Sequence, residues 1–404
     1  MYGLTLYILF PGRSSFSTQY PNVQFAWSYK TNYLNAICSI FHQEGSIAEV
    51  VSGFEYEKAR SLGIPGHKII FNGPHKSDGE LQRAFSENAV VNIDSFQELY
   101  RAENVAKSMG KTATIGIRLN MDTGTYPRWY KFGFDLERNQ AFEAVARISK
   151  SKWLSLSGLH AHIGTFMLDP KAYAIQVRKM IEFMTRIESL LDCTIDTLDI
   201  GGGFPSKNRL KGSYMPPEIA VPKVEEFADT ICSTLLENLP SGRRPKLYLE
   251  TGRHLIDEAG YLITSLIAEK QLPYNRTAYF LDSGITNLYT GNWYDFSIRP
   301  GETTDGIPEI TTLYGPLCMN IDVVAESISL PPMSVGSPLV IWPVGAYNVT
   351  QWMQFITYRP AVVLITEEGT MELIRRREKL SDITTPEEIP EHLLPNEHEG
   401  SSHA

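Results

Sequence analysis

LSGLHAHIGTFMLDPKAYAIQVRKMIEFMTRIESLLDCTIDTLDIGGG, residues 156–203, contains one complete strand–helix–strand unit. LSGLHAHIG and TLDIGGG are short apolar runs that end in polar residues or glycines, as parallel strands buried on both faces do. Between them, PKAYAIQVRKMIEFMTRIESLL (170–191) spaces its apolar residues as a helix would. The same alternation runs outward from about residue 24 to residue 265. VQFAWSY, SIAEVV, KIIFNG, AVVNID, ATIGIRL and KLYLETG read as further strands, with helix-like FEYEKARSLG and SFQELYRAENVAKSMG among them. Eight such strands with intervening helices make a (β/α)8 barrel of the TIM type, within the α/β class.

After residue 266 the texture changes. AYFLDSG, EITTLYG, PLVIWPVGAY and RPAVVLIT are strand-like and punctuated by Gly and Pro, which predicts a β-rich domain, sandwich or barrel, over 266–380. LTLYILF near the N-terminus reads as a strand returning to it, so residues 1–23 are assigned there too. From Ser381 to the end the chain is polar, acidic and Pro-containing, and reads as a flexible tail.

Bulk properties exclude some functions. The 404 residues suffice for two domains, and 43% hydrophobic with 21% charged residues describes an ordinary globular chain. A net charge of −9 argues against nucleic-acid binding, although it leaves room for a local anion site. No apolar run approaches the roughly 18 residues of a membrane span, so no membrane association is expected. The start, MYGLTLYILFPGRSS, lacks the basic and small-residue pattern of a signal peptide. Cys38, Cys193, Cys232 and Cys318 are scattered, without CxxC or zinc spacing. The first three read as free thiols in a reducing cytoplasm.

Candidate chemistry collects at strand ends, where barrel enzymes place it. Lys30 ends FAWSYK; in a barrel mouth, desolvation would depress its pKa and favour Schiff-base formation, while on a surface it would be an ordinary solvated lysine. The glycines of LDIGGGFP (198–205) suit either a tight turn or backbone N–H groups converging on a phosphate. His160 and His162 in HAHIGT share a strand face. No carboxylate or cysteine at suitable spacing makes them a metal site, so no metal is expected. An imidazole packed on an aromatic cofactor fits, with Thr165 donating to phosphate. Glu250 and Arg253 in ETGR form either an internal ion pair or, for Glu250, a partner to a protonated pyridine nitrogen. GPLCMNID (315–322) and GAYN (345–348) place Cys318 and Tyr347 in Gly-flanked turns.

Taken together, Lys30-Thr-Asn, HxHIG[ST], GGG, E-x-G-R, GPxC and GAY, in this order, resemble the fold-type III decarboxylases. That family includes diaminopimelate and ornithine decarboxylases and shares its barrel with alanine racemase. The resemblance spans roughly residues 3–370, and VVSGFEYEKARSLGIPGHKIIFNGPHKSDGEL and NIDSFQEL strengthen it. It implies a pyridoxal 5'-phosphate enzyme that decarboxylates a small amino-acid substrate. Lys30 would bond the cofactor, with Glu49 beside it. His162 would stack on the ring, Glu250 would pair with the ring nitrogen and Arg118 would lie nearby. Thr165, Gly202, Gly203, Arg253 and Tyr347 would hold the phosphate. Cys318 would enter from the partner of a homodimer and protonate the product, so the active sites would be shared. A racemase on the same barrel and a catalytically inactive regulatory homologue are the rival readings.

The resemblance has departures. Diaminopimelate decarboxylases carry Cys-Glu-Ser where this chain has Cys318-Met319-Asn320, and Arg-Pro where it has Thr290-Gly291. Ornithine decarboxylases place an Asp after the cysteine. Asp295 and Asp322 remain as contacts for a substrate ammonium, and Met319, Trp293 and Trp352 predict a more apolar pocket. This points to a non-standard substrate, free or carrier-linked. Only about 18 residues separate the first strand from the Lys30 strand, which predicts a first helix truncated to SSFSTQY.

Overall fold

The computed structural model describes residues 2–5 and 11–394. Its barrel strands are Val23–Ser28, Ile47–Val50, Ile69–Phe71, Val90–Ile93, Ala113–Asn120, Leu154–His160, Thr197–Asp199 and Lys246–Thr251. All pair in parallel, and the sheet closes where Val91, Asn92 and Ile93 meet Ile115, Gly116 and Ile117. The eight-stranded barrel is the one expected from the sequence.

Local chemistry starts the helices directly after the strands. Ser52 and Ser95 cap the helices Gly53–Ser61 and Phe96–Ser108 by accepting from the N–H of Glu55 and Glu98. Ser77 and Glu80 form a reciprocal capping box on Asp78–Ser86. Asp169 caps Pro170–Leu190, whose first residue is the proline favoured there. These short, capped connections leave the C-terminal strand ends open to one face.

The barrel interior is layered by the two-residue period of its strands. Ala26, Ile70 and Tyr248 form a buried apolar layer, with Ile47 and Val90 packed on it. Two positions further along the same strands come Ser28, Glu49, Asn72, Asn92 and Glu250, all buried. The pleat therefore turns a dry floor into a polar ceiling within one step.

The second sheet is built from Gly260–Leu272, Arg276–Leu281, Ser297–Pro300, Glu309–Tyr314, Val323–Leu330, Pro338–Trp342, Val362–Ile365 and Met371–Arg375. Tyr2–Thr5 joins it, antiparallel to Gly260–Leu262 and parallel to Val362–Ile365, which is the expected return of the N-terminal strand. The remainder of LTLYILF, residues 6–10, lies outside the described residues. Two expectations are corrected. The first helix runs Pro11–Gln19, starting three residues earlier than SSFSTQY. The tail does not begin at Ser381: Leu380–Thr384 is helical, held by the Arg376–Asp382 ion pair and by the Lys379 N–H donating to Asp382. Residues 395–404 lie outside the described residues.

The two units meet at Lys30. The GAYN turn donates the Tyr347 N–H to the Thr31 carbonyl (2.8 Å), and Thr350 Oγ1 donates to the Lys30 carbonyl (2.8 Å). Gly345 permits this approach, since a Cβ there would sit 1.9 Å from the Ile256 carbonyl.

Candidate active site

Ser28, Lys30, His162, Thr165, Gly202, Gly203, Phe204, Glu250, Gly252, Arg253 and Tyr347 line one cleft at the strand C-termini. Lys30, His162, Thr165, Gly202, Gly203, Glu250, Arg253 and Tyr347 were each singled out in the sequence, from five separate segments, and folding brings them together.

Lys30 follows the first barrel strand in a single turn of 3-10 helix, and its Nζ lies 2.5 Å from Glu49 Oε2. Burial alone would lower its pKa, but the charges of Glu49 and Glu250 outweigh that and hold it above the usual lysine range. The expected depression is therefore reversed: before cofactor binds, Lys30 is an ammonium clamped by Glu49. Asn72 Nδ2 joins the two carboxylates, 3.1 Å from Glu49 Oε1 and 2.6 Å from Glu250 Oε1, and Asn92 Nδ2 holds Asn72 Oδ1 at 2.9 Å.

His162 receives the Gly202 N–H at Nδ1 (3.0 Å), which fixes the ring across the cavity. Burial pushes its pKa down to about 3, with Arg118 and Lys30 adding to the effect against Glu250, so the ring is a neutral, flat surface. Trp129 packs behind it, with ring centroids 5.8 Å apart. Arg118 pairs with Asp94 at 3.7 Å and lies 4.4 Å over the Phe132 ring. Glu250 is 4% exposed; burial raises its pKa, but His160 and Lys30 reverse this and hold it below the usual carboxylate range.

The glycine run is a cradle with no room for side chains. A Cβ on Gly202 would lie 2.1 Å from the Glu250 carbonyl, and one on Gly203, at φ +99°, 2.4 Å from the Gly164 carbonyl. Tyr173 Oη and Gln176 Nε2 on the long helix donate to the carbonyls of Gly202, Ala161 and Ile200, so the helix buttresses both flanking strand ends. Facing the cradle, Arg253 is buried with its guanidinium 4.7 Å from the Tyr294 ring centroid and 4.8 Å from that of Tyr347. One nitrogen reaches Asp257 at 3.4 Å, while its Nε has no partner among the described residues. The cradle, that orphaned donor, the cavity-facing lysine, the flat imidazole and the buried carboxylate together fit pyridoxal phosphate.

The remaining candidates lie elsewhere in the single chain. Cys318 and Met319 are exposed and do not line the cavity. Asp295 faces Arg209 at 3.4 Å. Asp322 is buried and accepts the N–H groups of Ile285 (2.9 Å) and Leu317 (2.8 Å), holding the Cys318 turn from beneath. Thr290 is buried, with its N–H and Oγ1 both donating to Asn348 Oδ1 at 3.0 Å. Sequence reasoning missed Asn72, Asn92 and Asp199 and undervalued His160. The available signal was the two-residue step from apolar floor to polar ceiling. The reading that no carboxylate accompanies the histidines is also corrected, since atoms of His160, Asp199 and Glu250 lie within 4.8 Å of one another.

Two family models match this chain. The pyridoxal-binding domain of pyridoxal-dependent decarboxylases matches residues 13–257, and their C-terminal sheet domain matches residues 173–345. The chain belongs to the pyridoxal-dependent decarboxylases. It is 29% identical to the diaminopimelate decarboxylase of Methanocaldococcus jannaschii over 380 residues, covering 91% of this chain and 84% of that one. The Aquifex aeolicus diaminopimelate decarboxylase is 30% identical over 380 residues, covering 91% and 86%. The crystal structure of the M. jannaschii enzyme in co-complex with L-lysine superposes with a TM-score of 0.86 at 26% identity, covering 97% of this chain and 93% of that one. This decarboxylase is thus a pyridoxal-phosphate-dependent carboxy-lyase acting on an amino acid. Among the described residues no helix is long and apolar enough to cross a membrane.

Proposed function

We propose that this decarboxylase acts on a non-standard amino acid, free or borne on a carrier, through a diaminopimelate-decarboxylase-like cofactor site with an altered distal pocket. Thr290 carries the reading. It stands where diaminopimelate decarboxylases have the Arg of Arg-Pro, and its hydroxyl and N–H are both spent on Asn348. Met319 replaces the Glu of Cys-Glu-Ser. A bipolar distal end would lose a cationic and an anionic reader together. Loss of one charge-assisted contact removes about 1.5–3 kcal/mol, which is roughly ten- to a hundredfold in kcat/KM.

Pyridoxal phosphate, when bound, supplies the electron sink that accepts the Cα–carboxylate bond pair. Lys30 would hold it until the substrate amine takes its place, and Glu49 would orient the released amine. His162 would pack on the ring, Glu250 would hold the proton at its nitrogen, and Arg118 would lie near the ring. Thr165, Gly202, Gly203, Arg253 and Tyr347 would bind the phosphate. Cys318 of a second copy, or Lys30, would return the proton to Cα after CO2 leaves. The exposed Cys318 turn supports a homodimer with shared sites, in which Met319 and Asp295 border the distal pocket and Asp322 holds the turn that carries Cys318. The free cysteines suit a reducing cytoplasm.

The test is mass spectrometry of the pyridoxal-phosphate-loaded protein with meso-diaminopimelate, lysine, ornithine, arginine, glutamate and carrier-linked amino acids. CO2 loss from another member, with meso-diaminopimelate at least tenfold poorer in kcat/KM, is the expected result. Turnover of meso-diaminopimelate at ordinary efficiency would overturn the substrate assignment.

A further inference from the structure

Glu250 is held from the side away from the cavity. Its Oε1 takes Asn72 Nδ2 at 2.6 Å and has His160 Nε2 at 3.0 Å, so this oxygen is spent. Neither ring nitrogen of His160 has a hydrogen-bond partner among the described residues, so its close approach acts on the carboxylate electrostatically. Oε2 is the freer oxygen, 4.0 Å from His162 Nδ1 on the cavity wall. His160 is 1% exposed and ends its strand one step before the loop that carries His162.

Asp199 completes the group. It ends the neighbouring strand, pairs with His160 in register, and is 3% exposed. Its Oδ1 accepts the Gly201 N–H at 2.9 Å, and its Oδ2 is buried without a partner among the described residues. A buried carboxylate beside Glu250 is costly as a second anion and tolerable as a neutral acid. In agreement, burial and then the charge of Glu250 hold the Asp199 carboxyl well above its usual range. The charged or titratable groups around Glu250 are thus His160, His162, Lys30, Glu49, Arg118 and Asp199.

We propose that His160 and a neutral Asp199 form a buried positioning pair behind Glu250, leaving only Oε2 to meet the cofactor ring. The inference rests on the family's cofactor occupying this cavity. Neither residue lines the cavity; they act by fixing the orientation and charge of Glu250, which does. Without His160, Glu250 has one fewer partner at Oε1 and no adjacent donor to favour its anion. Asp199, as a neutral acid, separates the strand ends without adding a second charge.

The experiment uses purified protein loaded with pyridoxal phosphate, comparing wild type with His160→Leu, His160→Gln and Asp199→Asn. The readouts are the dissociation constant for pyridoxal phosphate and the pH profile of the bound cofactor's visible band, with circular dichroism as the folding control. His160→Leu is expected to weaken cofactor binding at least tenfold and to shift the band's pH profile. His160→Gln, which keeps a donor near the Nε2 position, should return binding to within threefold of wild type. Asp199→Asn should be close to silent, because the amide copies a neutral acid. Folded His160→Leu with wild-type affinity and pH profile overturns the proposal. So does Asp199→Asn as damaging as His160→Leu, which would mean that Asp199 works as an anion. If His160→Leu fails to fold, the Gln and Asn variants decide alone: His160→Gln tenfold weaker, or a shifted Asp199→Asn profile, overturns it. Absence of a visible band in wild type would instead defeat the cofactor assignment itself.

Discussion

Tyr347, on the sheet domain, donates its backbone N–H to Thr31, the residue after Lys30, at 2.8 Å. Tyr347 itself sits at φ +64°, a conformation costly for a non-glycine residue and kept by such contacts. The sheet domain thereby seats the lysine-bearing turn while presenting the Tyr347 ring to Arg253. The Cys318 turn belongs to the same sheet domain but lies away from the Lys30 cavity of its own chain.

If Cys318 serves a second copy, inactive variants complement each other. Lys30→Ala should lose the visible band and activity, and Cys318→Ala should keep the band and lose about 10²–10⁴-fold in rate, as for a missing proton donor. Equal mixing after subunit exchange should restore about a quarter of wild-type activity, because half the dimers then carry one intact site. No recovery in a verified mixed dimer would place both residues in one chain's site.

Gly203→Ala tests the cradle. The new Cβ meets the Gly164 carbonyl at 2.4 Å in a backbone conformation that side chains rarely adopt. A loss of about 1–3 kcal/mol of stability and at least tenfold weaker cofactor binding are expected by thermal melting and titration. Wild-type affinity would remove the glycine run from the phosphate site.

Glu55 gives a pH-dependent test of stability. Burial, then the charge of Glu49, raise its carboxyl from 4.5 to about 7 against the Val51 N–H that it accepts. The folded state therefore holds the proton that the unfolded state has released, and stability falls as pH rises from 4.5 through about 7. Glu55→Gln should match wild type near pH 5 and exceed it near pH 8 by up to about 3 kcal/mol, read from denaturant melts. Equal curves at both values would show that Glu55 is solvated well enough to ionise without cost.

The barrel was legible because its strands are continuous apolar runs that alternate with helix-like stretches such as FEYEKARSLG and SFQELYRAENVAKSMG. Strands of the second sheet such as Val323–Leu330, half-exposed and mixed in composition, carry no such contrast and were missed. Lys30, the glycine run and Glu250 stood out as unusual residues at strand ends. Asn72 and Asn92 did not, since an amide at a strand end is unremarkable until its partners are known. Asp322 misled for the opposite reason: its charge suggested a ligand contact, whereas its oxygens hold backbone N–H groups beneath a turn.

Sequence alone determined the barrel, the ring of strand ends and the residue types available for cofactor chemistry, because periodicity and turn chemistry are local. Tertiary structure decided the charge states and the partners. Lys30 was expected to lose its proton by desolvation, yet Glu49 at 2.5 Å and Glu250 nearby hold it as an ammonium. Asp199, an ordinary aspartate in LDIGGG, becomes a buried acid because the closed barrel sets it among other carboxylates. Both outcomes depend on distances between residues far apart in the chain, and electrostatic energy in a buried site is set by those distances.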